Sequence, residues 1–430
     1  MTKFHSTRGE GAESFSSAMQ QGLAPDGGLF VPERFPQFDI ASLEGGESLA
    51  EFAAVVLAPF FVGDPLAEHL PDICARALSF PVPLVLPPAE IDKPSHAVLE
   101  LFHGPTAAFK DVGARFLGEC FAHLEDASPT PRTVLVATSG DTGGAVASAL
   151  DGRPGIEVGI LFPSGGVSPE QQHQLTCWGD NVHSFAVRGT FDDCQRVVKQ
   201  AFTDASWRRE RRLTTANSIN IARLLPQSVY YAYSALRFRA QHAENPTFII
   251  PSGNVGNATA AIWAKEMGFP IGMIVLATNS NRTVPDYLLS GEWRPRPSQR
   301  TLANAMDVGD PSNMERVLHL FPDVETLREN IVSVSVDDAQ IGAVIEAGPG
   351  QWGRVFDPHT ATAAHLLDTR PEFAPAVIVA TAHPAKFKDV VEPRIGRPVE
   401  VPTALAELLS RETRFAEIEP DLEALKRAMP

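Results

Sequence analysis

The stretch Thr133-Val-Leu-Val-Ala-Thr138, Ser139-Gly-Asp-Thr-Gly-Gly144, Ala145-Val-Ala-Ser-Ala-Leu150 decides the fold class. Its β-branched, apolar start predicts a buried strand, and its glycine-rich middle predicts a tight turn. The alanine-rich end predicts a helix. A second apolar run, from Ile156 to Phe162, predicts the next strand. This order of strand, turn, helix and strand is typical of α/β units.

The same order returns in the second half of the chain. The run Thr247-Phe-Ile-Ile-Pro251 is followed by the turn Ser252-Gly-Asn-Val-Gly-Asn257 and by a helix-like segment from 258 to 265. Further strands are predicted at 271–277 and 376–380. Strands that alternate with helices over this length predict an α/β protein with mainly parallel sheets.

Length and composition indicate a soluble globular protein with two or three domains or lobes. The chain has 430 residues, of which 44% are hydrophobic and 20% charged. Its net charge of −16 argues against nucleic acid as the main partner, although a local pocket can still bind an anion. The most basic run consists of Arg208, Arg209, Arg211 and Arg212, and we interpret it as a solvated helix face.

The cysteines and the N-terminus indicate the compartment. No CxxC pair and no zinc-finger spacing occurs among the four cysteines, so we predict free thiols, a reducing cytoplasm and no metal site: Cys74, Cys120, Cys177 and Cys194. The N-terminus lacks the apolar region of a signal peptide. No apolar run approaches the roughly 20 residues of a membrane span, so no membrane partner is expected.

Composition also suggests where the chain divides. Residues 1–88 read as one unit, with a turn and extended piece at 26–32 and a buried helix at 49–61. The proline-rich segment 81–88 reads as a linker. We predict domains at 1–88 and 89–395 and a helical tail at 396–430.

The segment His103-Gly-Pro-Thr-Ala-Ala-Phe-Lys110 carries a candidate reactive amine. A lysine directly after Ala-Ala-Phe is expected to be partly buried, and burial lowers the pKa of an ammonium group. The neutral amine can then form a Schiff base. The alternative is an ordinary lysine that extends its charged end to the surface.

Two glycine-rich turns are candidate anion sites. The turns 139–144 and 252–257 each connect a predicted strand to a helix start, where backbone N–H groups favour an anion. The first suits a carboxylate, although it also fits a plain tight turn. The second suits a phosphate, but it is neither a Walker loop nor the dinucleotide GxGxxG.

A third strand end, Ala380-Thr-Ala-His-Pro-Ala-Lys-Phe387, carries the polar residues Thr381 and His383. Ligands bind at such strand ends in open α/β sheets. A histidine before proline is, taken alone, more often a turn residue. Together, the four segments supply two anion sites, one amine and a hydroxyl at strand ends.

These segments resemble the signature segments of the threonine synthase family, a group of pyridoxal-phosphate (PLP) enzymes of fold type II that are similar to the tryptophan synthase β subunit. The matching stretches are HGPTAAFKD (103–111), TSGDTGG (138–144), PSGNVGNATAA (251–261) and TAHPAKF (381–387). Shorter matches include 6–9, 22–28, 189–194, 217–223 and 278–281. The resemblance covers the chain to about residue 395. It implies two open, mainly parallel-sheet lobes that flank a cofactor cleft, plus an N-terminal domain.

The resemblance also implies roles for single residues. Lys110 resembles the Schiff-base lysine, Asp141 the residue near the phenolic oxygen of PLP, and Thr381 the partner of its pyridine nitrogen. Some relatives carry asparagine at the position of Asp141. The cofactor phosphate is assigned to the loop Gly253, Asn254, Val255, Gly256 and Asn257. The substrate carboxylate is assigned to Ser139 and Thr142, and the substrate phosphate to Ser218, Asn220 and Arg223.

The reaction implied is conversion of O-phospho-L-homoserine and water to L-threonine and inorganic phosphate. A cytoplasmic monomer or homodimer acting on a small molecule is expected. A related PLP lyase that yields a 2-oxo acid, ammonia and phosphate is the nearest alternative, and the products would distinguish the two. A non-catalytic binding protein on the same fold is the other, and absence of bound PLP would favour it.

Overall fold

The computed structural model describes residues 2–9, 11–43, 48–91, 96–124, 128 and 130–430. Within these ranges the strands form three sheets. The strands are β1 (Phe4–Ser6), β2 (Phe30–Pro32), β3 (Leu84–Val85), β4 (His96–Glu100), β5 (Arg132–Ala137), β6 (Ile156–Pro163), β7 (Val182–Val187), β8 (Thr214–Thr215), β9 (Thr247–Pro251), β10 (Ile274–Thr278), β11 (Ile331–Ser335), β12 (Ala376–Ala380) and β13 (Ala416–Ile418).

Helices cover the sheets and build the N-terminal unit. They are α1 (Phe15–Gln21), α2 (Leu49–Leu57), α3 (Leu70–Ala77), α4 (Lys110–His123), α5 (Asp141–Leu150), α6 (Pro169–Thr176), α7 (Phe191–Thr203), α8 (Ala205–Glu210), α9 (Ile221–Leu224), α10 (Gln227–His242), α11 (Gly256–Glu266), α12 (Thr283–Ser290), α13 (Met314–Leu320), α14 (Val324–Asn330), α15 (Asp338–Gln351), α16 (Pro358–Thr369), α17 (Lys388–Ile395), α18 (Thr403–Leu409) and α19 (Leu422–Ala428). Short 3-10 turns lie at 40–42, 58–60, 67–69, 304–306, 371–373 and 384–387.

The larger sheet has six strands in the order β11-β10-β9-β12-β4-β3. All neighbours run parallel except β3, which pairs antiparallel with β4 at the edge. The central strands β9 and β12 are buried along their whole length, as expected for parallel strands covered on both faces. The predicted linker at 81–88 therefore contains a short edge strand.

The second sheet has five parallel strands in the order β13-β7-β6-β5-β8. Its edge strand β13 comes from the segment predicted as a helical tail, which thus contributes a strand between α18 and α19. The two sheets confirm the predicted α/β class and the two parallel lobes. The exact limits of the three domains stay a prediction.

Predicted elements agree closely with the observed ones, and two deviations have local causes. The strand expected at 271–277 begins only at Ile274, after Pro270 and Gly272, which disfavour ladder pairing. The helix expected at 49–61 ends at Leu57, because Pro59 removes a backbone donor and the chain continues as a 3-10 turn.

The N-terminal unit docks onto the larger lobe through two charged residues of α13. Arg316 is fully buried and donates from Nε to the carbonyl of Phe30 in β2, over 3.0 Å. It also donates to the carbonyl of Ile219 over 2.6 Å. Arg8 pairs with Glu315 at 2.6 Å. One buried guanidinium thus fixes β2 against the loop that precedes α9.

No helix in the described part of the chain is both long and apolar enough to cross a membrane. The four cysteines are free, as predicted from their spacing, and all four are buried. Burial raises the pKa of the Cys74 and Cys194 thiols to about 12, which keeps both thiols protonated and unreactive.

Candidate functional site

Three neighbouring strands of the larger sheet end at the candidate site. The order β9-β12-β4 places the carboxyl ends of these parallel strands side by side. The loop after β9 is the predicted phosphate turn, the residue after β12 is Thr381, and the loop after β4 leads to Lys110. The topology thus brings three of the four predicted segments to one edge.

The segments that carry Lys110 and Thr381 are joined by their backbones. Phe109 donates its N–H to the carbonyl of Thr381 over 2.8 Å, and His383 donates to the carbonyl of Ala107 over 3.0 Å. These bonds flank an antiparallel bridge between Ala108 and Ala382. The relative position of Lys110 and Thr381 is therefore fixed by the main chain.

Lys110 is the first residue of α4 and is partly buried. Burial and the positive charge of Arg223 together lower the pKa of its ammonium group to about 8, while Asp141 acts in the opposite direction. The helix N-terminus also disfavours a cation at this position. The predicted lowering of the pKa is confirmed, and a large neutral fraction of this amine exists near pH 8.

The first predicted anion turn lies at the start of α5. Gly140 adopts φ 137°, a conformation that favours glycine, and the hydroxyl of Thr138 accepts from the N–H groups of Gly140 and Gly143, each over 3.0 Å. Ser139 and Thr142 are partly exposed, and neither hydroxyl has a hydrogen-bond partner among the described residues. Both hydroxyls are therefore free to contact a ligand at this helix start.

Asp141 is held in a buried ion pair that sequence reasoning missed. Its Oδ1 lies 2.9 Å from Nζ of Lys386, which is 0% exposed, and accepts from Nε2 of Gln171 over 3.0 Å. Burial acts to raise the pKa of Asp141, but Lys386, His359 and Gln171 together lower it below the ordinary value. Lys386 lies inside the quoted segment 381–387, yet nothing local in that segment distinguishes it from a surface lysine.

In the second predicted anion turn, Gly253 has no room for a side chain and Val255 has a left-handed backbone. A Cβ on Gly253 would lie 2.7 Å from Cα of Met306, so a side chain there would collide with main chain. Val255 adopts φ 60° at the N-cap of α11, a left-handed conformation that is costly for a β-branched residue. Such strain commonly marks a ligand site, since it must be held by its surroundings.

The amide of Asn257 is oriented by two buried tyrosines. Its Oδ1 accepts from the hydroxyls of Tyr230 and Tyr231, the latter over 2.9 Å. Its buried Nδ2 has no partner among the described residues. A donor held in this way at a helix N-terminus needs an acceptor, and a phosphate oxygen would satisfy it.

Asn254 ties the same loop to its neighbours. Its Nδ2 donates to the hydroxyl of Ser218 over 2.8 Å, and its Oδ1 accepts from the N–H of Ser312 over 2.6 Å. Asn313 donates to the hydroxyl of Ser218 over 3.2 Å and to the carbonyl of Asn254 over 3.1 Å. The side chain of Asn254 therefore shapes the loop, and Ser218 lies against it.

The other two residues predicted for the substrate phosphate are Asn220 and Arg223, and they differ in whether their side chains keep unpaired hydrogen-bond donors. Asn220 is fully buried, donates to the carbonyls of Met19 and Thr215, and accepts from Ala222 as the N-cap of α9. Arg223 is also fully buried and donates from one nitrogen to Ala216, but its Nε and its second terminal nitrogen have no partner among the described residues. Asn220 is thus committed to the fold, whereas Arg223 retains unused donors.

A network of buried hydrogen bonds holds the backbone of Thr381. Its N–H donates to the hydroxyl of Thr360 over 3.3 Å, and that hydroxyl donates to Asp357. Asp357 also bonds to Nδ1 of His359 over 2.8 Å. By contrast His383 caps a 3-10 turn, and burial lowers its pKa to about 4. The turn interpretation of His383 is therefore supported.

A groove of about 1640 Å³ connects the surface with this region. Asn217 and Asn254 are among the residues that line it, on the sides of the two lobes. Arg208, Arg209 and Arg212 of the basic run also line it. Part of the predicted solvated helix face thus borders this groove.

Comparison with known proteins gives consistent matches over the whole chain. A family model described as "Pyridoxal-phosphate dependent enzyme" matches residues 81–383. Models described as "Threonine synthase N terminus" and "Threonine synthase, C-terminal" match residues 3–78 and 360–429. The threonine synthase of Escherichia coli (strain K12) is 38% identical over 423 residues, which cover 97% of this chain and 96% of that protein.

Solved structures agree with the sequence matches. The crystal structure of threonine synthase from Escherichia coli superposes with a TM-score of 0.91 at 36% identity and covers 99% of both chains. The crystal structure of PLP-bound threonine synthase from Brucella melitensis superposes with a TM-score of 0.90 at 35% identity, covering 100% of this chain and 99% of that one.

Proposed function

Because the chain belongs to the threonine synthase family of pyridoxal-phosphate dependent enzymes, we propose that it converts O-phospho-L-homoserine and water to L-threonine and inorganic phosphate. One observation carries the proposal most directly. A partly buried amine with a lowered pKa, Lys110, lies near a buried guanidinium with unused donors, Arg223. An enzyme that moves a proton on a phosphorylated amino acid needs both groups.

The residues present fit PLP as a cofactor. Lys110 would bind its aldehyde through a neutral amine, and the orphaned Nδ2 of Asn257 would donate to its phosphate. Gly253 lets this loop pack directly against the main chain of Met306, where a Cβ would collide. Thr381 would place a hydroxyl at the pyridine nitrogen and Asp141 a carboxylate near the phenolic oxygen. When bound, PLP supplies an electron sink for charge that develops at the substrate Cα.

Lys110 is the proposed general base. With a pKa of about 8, its Nζ is partly neutral at physiological pH, so it can accept a proton from Cα and return one later. The second buried lysine, Lys386, is poorly suited to that task because it is paired with Asp141 at 2.9 Å. Lys110 is therefore assigned the proton transfer, and Lys386 is assigned the ion pair with Asp141.

The substrate would be held at both ends. The free hydroxyls of Ser139 and Thr142, at the start of α5, are proposed to bind its carboxylate. Arg223 is proposed to bind its phosphate, because a guanidinium fork can bond two oxygens at once. The hydroxyl of Ser218 contacts Asn254 of the cofactor loop, and Ser218 is proposed to assist. We leave Asn220 out, since its amide is committed to the fold.

The basic groove fits the same substrate. Arg208, Arg209 and Arg212 put positive charge along a path into a protein whose net charge is −16. Local positive charge raises the concentration of an anionic substrate at a cleft. We propose this groove as the route by which the phosphorylated substrate enters.

We further propose that the protein works in the cytoplasm as a monomer or homodimer, without nucleic acid or membrane as a partner. Buried, protonated thiols suit a reducing compartment, and the acidic net charge disfavours nucleic acid. Light scattering on the purified protein measures the oligomeric state directly.

Product identification tests the proposed reaction. Holoenzyme is incubated with O-phospho-L-homoserine, and threonine, 2-oxobutyrate and phosphate are quantified together. Threonine equimolar with phosphate is expected. Equimolar 2-oxobutyrate and ammonia instead would establish the alternative lyase, which shares the cofactor residues and differs only in the fate of the carbon skeleton. No phosphate release from a PLP-loaded protein would contradict both reactions.

A further inference from the structure

Lys386 and Asp141 form a buried ion pair beside the cofactor residues. Lys386 is 0% exposed, and its Nζ lies 2.9 Å from Oδ1 of Asp141 and 2.8 Å from the carbonyl of Thr106. An ammonium has three donors, so one donor is left without a bond in the described structure. Burying two charges is expensive, and such pairs are often retained for a function other than stability.

Lys386 faces two carboxylates, and their surroundings differ. Asp111 accepts from the N–H and the hydroxyl of Thr106, over 2.9 and 2.7 Å, yet burial raises its pKa above the ordinary value. The pKa of Asp141 is instead lowered, because Lys386 and the amide of Gln171 outweigh its burial. The ionised partner of Lys386 is therefore Asp141.

We propose that Lys386 and Asp141 act as a neutral ion pair that sets the protonation state of the bound cofactor at its phenolic oxygen, with Lys386 as a positioning residue. The proposal rests on the proposed attachment of PLP to Lys110, with Asp141 near that oxygen. An isolated carboxylate at this place would disfavour negative charge on the cofactor, and an isolated ammonium would favour it. The pair balances the two effects.

Other charged and titratable groups near the pair come from several elements. They include Lys110, Asp111 and Arg115 on α4, Arg223 on α9, His359 on α16 with its partner Asp357, and His383 before the 3-10 turn at 384–387. A variant at Lys386 or Asp141 leaves all of them in place. Any opposite effect of the two variants therefore reports on the pair itself.

The test is a pH titration of the absorbance of bound PLP in the substrate-free holoenzyme. Lys386→Gln keeps a donor for the carbonyl of Thr106 but removes the positive charge. In this variant the midpoint of the absorbance titration is expected to rise by about one pH unit, the usual size of a nearby-charge effect on a pKa. Asp141→Asn is expected to lower the midpoint by about the same amount. The double variant is expected to return close to wild type.

A merely structural pair would behave differently. Thermal unfolding of the apoproteins would then show two destabilised single variants and recovery in the double variant, while the absorbance midpoints stayed equal. Equal midpoints, or shifts in one direction, would overturn the proposal. Lys388→Gln, at a partly exposed lysine two residues away, is the matched control and is expected to leave the midpoint unchanged.

Failure of this inference is distinct from failure of the proposed reaction. The titration needs bound PLP but no substrate, so it does not depend on whether threonine or 2-oxobutyrate is formed. Opposite shifts in a protein that released no phosphate would support the pair and contradict the reaction.

Discussion

The N–H of Phe109 donates to the carbonyl of Thr381 over 2.8 Å, and this bond fixes the backbone next to Lys110 relative to Thr381 at the end of β12. The two residues are predicted to hold opposite sides of one cofactor ring. Because the bond is made by main chain, it persists when either side chain is changed. Variants at Lys110 and Thr381 therefore test side-chain chemistry rather than the fold.

Lys110→Ala is expected to remove both the yellow colour of the bound cofactor and the turnover, because no other amine replaces Nζ. Lys388→Ala, at a partly exposed lysine outside the groove, is the control and should keep both. Borohydride reduction of the wild-type holoenzyme, followed by peptide mapping, should label Lys110. A label on Lys386, the other buried lysine of the site, would reverse the assignment of the two lysines.

The pH dependence of cofactor binding follows from the lowered pKa of Lys110. Only the neutral amine reacts with an aldehyde, so recombination of apoenzyme with PLP should accelerate with rising pH and level off above about 8. An amine with an ordinary pKa of 10.5 would instead keep gaining about tenfold per pH unit beyond pH 8. Stopped-flow absorbance measures the rate, and Nα-acetyl-lysine in solution serves as the reference amine.

Arg223→Ala is expected to raise the KM for O-phospho-L-homoserine by about 10- to 100-fold, the loss associated with charge-assisted hydrogen bonds to a phosphate. PLP affinity should change far less. Arg223→Lys, which keeps the charge without the fork, should recover part of the loss. Equal losses in PLP and substrate affinity would place Arg223 at the cofactor phosphate instead.

Asn257→Asp is expected to weaken PLP binding by about tenfold or more. The change keeps the shape and the acceptor for Tyr230 and Tyr231 but replaces the orphaned donor by a carboxylate oxygen beside a dianion. Asn245→Asp makes the same charge change at an exposed position and should leave PLP affinity unaltered. Equilibrium titration measures the PLP affinity of both variants. Equal affinities would show that the amide of Asn257 does not contact the phosphate.

Gly253→Ala is expected to lower both PLP affinity and the melting temperature, since the new Cβ would meet the Cα of Met306 at 2.7 Å and main chain must move. Gly350→Ala is the matched control, because nothing lies within 4 Å of a Cβ there and the residue is exposed in α15. That control should stabilise the protein by about 0.5–1 kcal/mol through helix propensity. Similar melting temperatures for both variants would contradict the tight approach at Gly253.

The sequence by itself determined the α/β class, two of the three strands that end at the site (β9 and β12) and the direction of the pKa shift at Lys110. These features depend on near neighbours in the chain, because periodicity, glycine turns and an apolar triplet before a lysine act locally. The same local patterns predict a linker at 81–88 and a helical tail at 396–430. These segments instead contain β3 and β13, because each pairs with a strand at the edge of a sheet.

Only the tertiary structure decided which polar groups stay free. It committed Asn220 to two carbonyls, left donors of Arg223 and Asn257 unused, and paired Lys386 with Asp141. A hydrogen bond or ion pair between distant segments depends on which strand ends lie together and on how much water burial excludes, and neither quantity is encoded in the few residues around each side chain.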